Sequence, residues 1–215
     1  MQIFLDTANT VEIEKGVASG CVHGVTTNPT IISREKKPLR ECIADITAID
    51  PDLTVLIEAV SADAPALVAE AAGLAALARN AVIKLPMTPN GLAAARVLSK
   101  EGIRTTVTLV FSLNQAIAAS CAGANFVAPF VGRLDDINVD GIGLVRSIKQ
   151  TFCAQQVDTK IIAASIRTPQ SVGDLFAVGC DVVTMPYAVM EKMLLHPLTE
   201  AGLKKFDEDW KKVPA

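Results

Sequence analysis

The sequence contains no C-x-x-C pair and no Cys/His cluster. Its five cysteines, Cys21, Cys42, Cys121, Cys153 and Cys180, are scattered and odd in number, so neither a disulfide framework nor a zinc site is expected. They read as small, reduced core residues. An excess of basic charge is also missing: the net charge is −3 and the pI about 5.4. A mildly acidic surface steers neither nucleic acid nor an acidic membrane toward itself, which leaves a small-molecule role as the expectation. The start, MQIFLDT, lacks a basic region and reaches an aspartate by position 6, which argues against a signal peptide and for a cytoplasmic protein. Residues 105–132 carry no charge, yet polar residues interrupt them, and no apolar run approaches the ~18 residues of a membrane span. Nor is there a linker, a low-complexity tract or a sequence repeat, so residues 1–215 are expected to form one domain.

What the chain does have is eight short runs rich in Ile and Val, at 3–7, 22–28, 54–60, 81–86, 105–110, 126–131, 160–165 and 182–186, with helical stretches between them. Strands alternating with helices imply parallel βαβ units with right-handed crossovers, and eight such units predict a closed (β/α)₈ TIM barrel. Thr88-Pro89 and Thr168-Pro169 each pair an N-cap hydroxyl with proline at the first helical position. Asn9 with Glu12 predicts a capping box, and Gly102 marks a helix end. After the eighth unit, an extra C-terminal helix at about 197–212 carries Leu203, Phe206 and Trp210 on one face. That stripe packs either on its own barrel or on a partner subunit.

The fourth run, AVIKLPM at 81–87, places Lys84 among apolar residues. An ammonium ion removed from water gives up its proton more readily, leaving a neutral amine that attacks ketone carbonyls to form Schiff bases. Other polar residues gather at the C-terminal ends of the strands, the face on which a barrel builds its active site. They are Asp6, Thr26 and Asn28, Glu58, Thr106 and Thr108, and each pair two residues apart shares a strand face. Asp6 and Glu58 supply the proton-transfer groups that a Schiff-base cycle needs. Arg133, Ser165 and Arg167, after the sixth and seventh strands, suit a phosphate. Each residue also has a plainer reading: Asp6 as a cap, the threonines as β-formers, Glu58 and Lys84 as a structural ion pair, Arg133 as a partner of Asp135 or Asp136.

Six ordered motifs, FLDTAN (4–9), GVTTNPTII (24–32), VIKLPMT (82–88), TLVFS (108–112), PFVGRLDD (129–136) and AASIRTP (163–169), resemble the transaldolase family. The similarity is to its short microbial branch, which includes fructose 6-phosphate aldolases. The resemblance implies a Schiff base on Lys84, proton transfer by Asp6 and water handling by Glu58 and Thr108. It also implies that Thr26 and Asn28 hold the dihydroxyacetone unit, and that Arg133, Ser165 and Arg167 hold a phosphate. Glu58 and Phe130 match the transaldolase pattern, where fructose 6-phosphate aldolases carry glutamine and tyrosine. Thr106, Ala128 and Leu56 depart from the longer transaldolases, which have asparagine, serine and serine there.

The expected activity is therefore transfer of a dihydroxyacetone unit from sedoheptulose 7-phosphate or fructose 6-phosphate to glyceraldehyde 3-phosphate or erythrose 4-phosphate, within the non-oxidative pentose phosphate pathway. No metal or cofactor is expected; the partners are phosphorylated sugars, with no nucleic acid and no membrane. The resemblance implies a homo-oligomer, pentamer or decamer, with Leu203, Phe206 and Trp210 at the subunit contact. Release of free dihydroxyacetone by an aldolase, or a sugar-phosphate-binding barrel without turnover, are the rival readings.

Overall fold

In the computed structural model, which describes residues 1–214, eight parallel strands pair in sequence order and close into a barrel. The strands are β1 (Gln2–Asp6), β2 (Val22–Thr26), β3 (Thr54–Glu58), β4 (Ala81–Pro86), β5 (Thr105–Val110), β6 (Phe126–Pro129), β7 (Lys160–Ala163) and β8 (Val182–Met185). Helices α1 (Thr10–Ala18), α2 (Pro29–Glu35), α3 (Leu39–Ile49), α4 (Ala64–Ala75), α5 (Pro89–Lys100), α6 (Leu113–Cys121), α7 (Val131–Asp135), α8 (Gly141–Ala154), α9 (Pro169–Ala177) and α10 (Tyr187–Leu194) separate or follow them. A last helix, α11 (Pro197–Trp210), ends the chain's regular structure.

Short polar side chains start the helices that leave the strand ends. Asn28, Thr88, Ser112 and Thr168 each accept a hydrogen bond from the backbone N–H three residues on, satisfying a donor that the helix cannot pair internally. Asn9 caps α1 in the same way through Glu12 N, but the capping box is incomplete: the Glu12 carboxylate accepts from Thr7 Oγ1 at 2.6 Å instead of reaching back to Asn9 N. Thr7 Oγ1 takes that N–H itself. Gly102, at φ +73°, closes α5.

Strand parity divides the core in two. Odd-numbered residues such as Leu5, Val25, Ile57, Ile83, Val107 and Val183 face the helices in one large apolar cluster. Even-numbered residues face the barrel axis, where Phe4, Leu56, Val82, Ile162 and Val182 form a separate buried layer near the strand N-termini. Phe4 needs room there, and Gly24 on the neighbouring strand provides it: a Cβ would sit 2.8 Å from the Phe4 ring and 2.6 Å from the Thr54 carbonyl oxygen. Above this layer the same parity carries Asp6, Thr26, Glu58, Lys84, Thr106, Thr108 and Thr184.

The uncharged stretch at 105–132 is used up by β5, α6, β6 and the start of α7. Among the described residues no helix is long and apolar enough to cross a membrane. The final helix stops at Trp210, a little short of the expected 212. None of its residues is buried, and Leu203, Phe206 and Trp210 are 64%, 73% and 75% exposed, so the stripe does not pack on its own barrel.

Candidate active site

At the C-terminal ends of the strands an outer vestibule of about 830 Å³ opens onto an inner chamber of about 130 Å³. Asp6, Asn28, Lys84, Thr108, Phe130 and Arg133 line both. Lys84 is 5% exposed. Its Nζ lies 2.9 Å from Glu58 Oε2 and donates to the Thr27 carbonyl at 2.8 Å. The register puts Glu58 directly beside Lys84 on adjacent parallel strands, so the pairing follows from the sheet itself. Thr27 is held in turn, its N–H and its hydroxyl both donating to the Leu56 carbonyl. One carboxylate oxygen and one carbonyl therefore aim the amine.

Asp6 sits on β1 with its Oδ1 accepting from Thr26 Oγ1 at 2.7 Å. Burial pushes its carboxyl above the ordinary carboxylate value; the Thr26 hydrogen bond and the Lys84 charge pull the other way. Glu58 adds to the rise and Arg34 opposes it. A carboxyl moved toward the working pH is suited to both taking and returning a proton. Thr108, 1% exposed, has a hydroxyl oxygen with no hydrogen-bond partner among the described residues, although it lines both cavities. Its place in both cavities, which Thr106 lacks, lets that hydroxyl meet a substrate or water. Asn28 caps α2 through its side-chain oxygen, which leaves the amide nitrogen for a ligand.

Phe130 is held by a bridge to Ala164 just past β6, with its ring 5.9 Å from that of Phe111. The Arg133 guanidinium lies over the Phe130 ring at 5.0 Å from its centroid and reaches both cavities. It pairs with neither Asp135 nor Asp136. Asp135 instead accepts from Gly141 N, and Asp136 grips Arg167 through two hydrogen bonds of 2.6 Å.

Two expected site residues are elsewhere. Thr106 lines neither cavity: it is fully buried one layer below Thr108, beside Lys84 in the register, with no partner for its hydroxyl among the described residues. Arg167 lines neither of the two; with Ser165 it lines a further cavity of about 220 Å³. Strand β7 ends at Ala163, and parity would turn Ala164 inward and Ser165 out; with a left-handed backbone, φ +62°, Ser165 lines the chamber as well as the cavity that it shares with Arg167. Gly132 permits this bend, because a Cβ there would collide with the Ser165 carbonyl oxygen.

Sequence reasoning missed several mouth residues, Arg34, Glu12 and Glu35 among them, and Thr184 in the chamber. Arg34 and Glu12 line the vestibule from α2 and α1, positions that strand-end logic does not reach. Thr184 lies on β8, 2% exposed, with its hydroxyl 2.6 Å from that of Thr26. The even-number parity of the other strands would have found it. Among the described residues no group of three or more His, Cys, Asp or Glu side chains is arranged to hold a metal ion.

Residues 3–215 match the family described as transaldolase/fructose-6-phosphate aldolase. A probable transaldolase of Aquifex aeolicus is 49% identical over 214 residues, covering 100% of this chain and 98% of its own. Another, of Kosmotoga olearia, is 51% identical over 212 residues, with 98% and 96% covered. Among solved structures, thiamine phosphate pyrophosphorylase from Pyrococcus furiosus shares the fold at TM-score 0.61 and 16% identity, covering 88% of this chain and 87% of that one.

Proposed function

Because this chain belongs to the transaldolase/fructose-6-phosphate aldolase family, we propose that it is a transaldolase that carries a dihydroxyacetone unit on Lys84 from a ketose phosphate to an aldose phosphate. The observation that carries this reading is the buried Lys84 amine held between Glu58 and the Thr27 carbonyl, with a buried carboxyl, Asp6, in the same chamber.

The cycle proceeds on the open-chain ketose. Glu58 takes a proton from the Lys84 ammonium, and the neutral amine adds to the C2 carbonyl. Glu58 and Thr108 pass that proton to the departing hydroxyl, so that water leaves and an iminium forms. Asp6 then takes the C4 hydroxyl proton as the C3–C4 bond breaks. The bond's electron pair moves into the iminium to give an enamine, and an aldose phosphate is released. An acceptor aldehyde takes the enamine's electron pair at its C1, Asp6 returns the proton, and water readmitted beside Glu58 and Thr108 hydrolyses the product. The protonated imine is the electron sink, so the cycle calls for no metal or cofactor. Arg133 and Ser165 hold the phosphate, and Asn28 the hydroxyls of the three-carbon unit.

Sedoheptulose 7-phosphate and fructose 6-phosphate are the donors in this reading, glyceraldehyde 3-phosphate and erythrose 4-phosphate the acceptors, in a cytoplasmic, non-oxidative pentose phosphate pathway. Turnover of fructose 6-phosphate with and without erythrose 4-phosphate tests it. Product should form only with the acceptor present. Steady release of free dihydroxyacetone without one would make the protein an aldolase, and binding with no exchange of label between ketose and aldose would make it a binding barrel.

Phe130 supports transfer over release. A phenyl ring beside the enamine carries no proton to quench it, so the three-carbon unit stays on the lysine until an aldehyde arrives. Phe130→Tyr is expected to raise acceptor-independent release of dihydroxyacetone roughly tenfold or more, measured by a coupled dihydroxyacetone assay. An unchanged rate would remove Phe130 from this account.

The exposed apolar stripe of α11 supports assembly: we assign Leu203, Phe206 and Trp210 to a contact with a second copy in a pentamer or decamer. Trp210→Glu with Phe206→Glu should lower the particle mass seen by light scattering while leaving the barrel's circular dichroism unchanged. An unaltered mass would place the contact elsewhere.

A further inference from the structure

Thr26 is expected to hold substrate, but its hydroxyl is already engaged. Its oxygen lies 2.7 Å from Asp6 Oδ1 and 2.6 Å from Thr184 Oγ1, with Thr26 3% and Thr184 2% exposed. A hydroxyl has one proton to give. While Asp6 is ionised that proton must go to the carboxylate, so Thr184 donates to Thr26 and the chain runs Thr184 to Thr26 to Asp6. When Asp6 has taken a proton on the carboxyl oxygen that Thr26 does not engage, Thr26 still donates to Oδ1, now a neutral acceptor, and the order is kept. Thr184 makes no further side-chain hydrogen bond among the described residues, so within them the chain ends there.

We propose that Thr184 is a positioning residue for Asp6, acting through Thr26 to orient the carboxylate and to stabilise its ionised form. This rests on the reading of Asp6 as the proton-transferring group. With Thr184 removed, Thr26 still donates to Asp6 in both protonation states, so that bond cancels from the comparison. What does not cancel is polarisation: the Thr184 bond strengthens a chain that ends on a negative charge, and hydrogen bonds in such chains reinforce one another. Losing it costs the ionised form more than the neutral one, and Asp6 then holds its proton to higher pH. The charged groups around Asp6 stay in place in such a variant: Lys84, Glu58 and Arg34 act on it directly, and Glu12, Glu35 and Arg133 line the same mouth.

Thr184→Val keeps the shape and removes the hydroxyl. Its pH profile of kcat/KM for fructose 6-phosphate with erythrose 4-phosphate should show the acid limb moved upward by about half to one pH unit. At neutral pH kcat should fall roughly threefold to tenfold, with KM little changed, and Thr184→Ser should restore both. Borohydride trapping of the Lys84 adduct should keep its wild-type pH dependence, because that step uses Glu58. A raised KM with an unmoved acid limb would make Thr184 a substrate contact and overturn the proposal. So would a Thr184→Ser variant no better than valine. Asp6→Asn separates the two readings: if it is inactive while the Thr184→Val limb is unmoved, only the Thr184 role fails; if it is fully active, the role of Asp6 fails and the positioning role with it.

Discussion

Lys84→Arg is expected to abolish trapping by borohydride in the presence of fructose 6-phosphate and to lower turnover by on the order of 10⁴-fold or more. The guanidinium stays protonated at any working pH and cannot act as a nucleophile, yet it keeps the positive charge beside Glu58. This substitution therefore separates two roles that Lys84→Ala merges. If Lys84 were only the partner of Glu58 in a structural ion pair, the arginine variant would lose little. If it is the nucleophile, the variant melts near the wild-type temperature and forms no covalent adduct. Lys84→Met goes further: Glu58, with its side chain 18% exposed, loses its partner, so both adduct and some stability should be lost. A reduced, mass-shifted adduct on the arginine variant, found by mass spectrometry, would put the Schiff base on another lysine.

Asp6→Asn should give the opposite pattern. In the proposed cycle iminium formation uses Lys84 and Glu58, so trapping should survive, while carbon–carbon cleavage falls by roughly 10²- to 10⁴-fold for want of a base. Stability adds a second readout. Because burial raises the Asp6 carboxyl above its ordinary value, the folded state binds this proton more tightly than the unfolded chain does. Its favourable contribution is thus complete at pH below the ordinary carboxylate value and is lost as pH rises through the folded one. At neutral pH the ionised group is a liability to the fold, and the asparagine variant should melt at the same temperature or higher. At pH below the carboxylate range the difference should shrink or reverse. A variant both inactive in trapping and less stable at neutral pH would mean that Asp6 holds the site together and does not move protons.

The barrel was legible because its signals are local and repeated. Each Ile/Val run ends near a polar residue, and Asn28, Thr88, Ser112 and Thr168 turn those ends into helix starts. Parity then reaches the barrel axis correctly for Asp6, Thr26, Glu58, Lys84 and Thr108, since a strand turns alternate side chains one way. It failed where the chain is no longer a strand. Ser165 reaches the chamber through a left-handed backbone that no residue type announces, while Arg167 lies in the neighbouring cavity that the two share. Thr106 has the right parity but the wrong depth, because strand stagger decides which of two inward threonines meets the cavity. The Thr27 carbonyl that aims Lys84 could not be read at all, since every residue has one.

The apolar residues Phe4, Leu56, Val82 and Val182 lie two residues below Asp6, Glu58, Lys84 and Thr184 on the same strands. Heredity can therefore act on the two almost independently. On the roles proposed above, a lineage that exchanges Glu58 or Phe130 alters whether the fragment is handed on, while the layer beneath stays unchanged. Divergence of activity in such a protein need not pass through an unfolded ancestor.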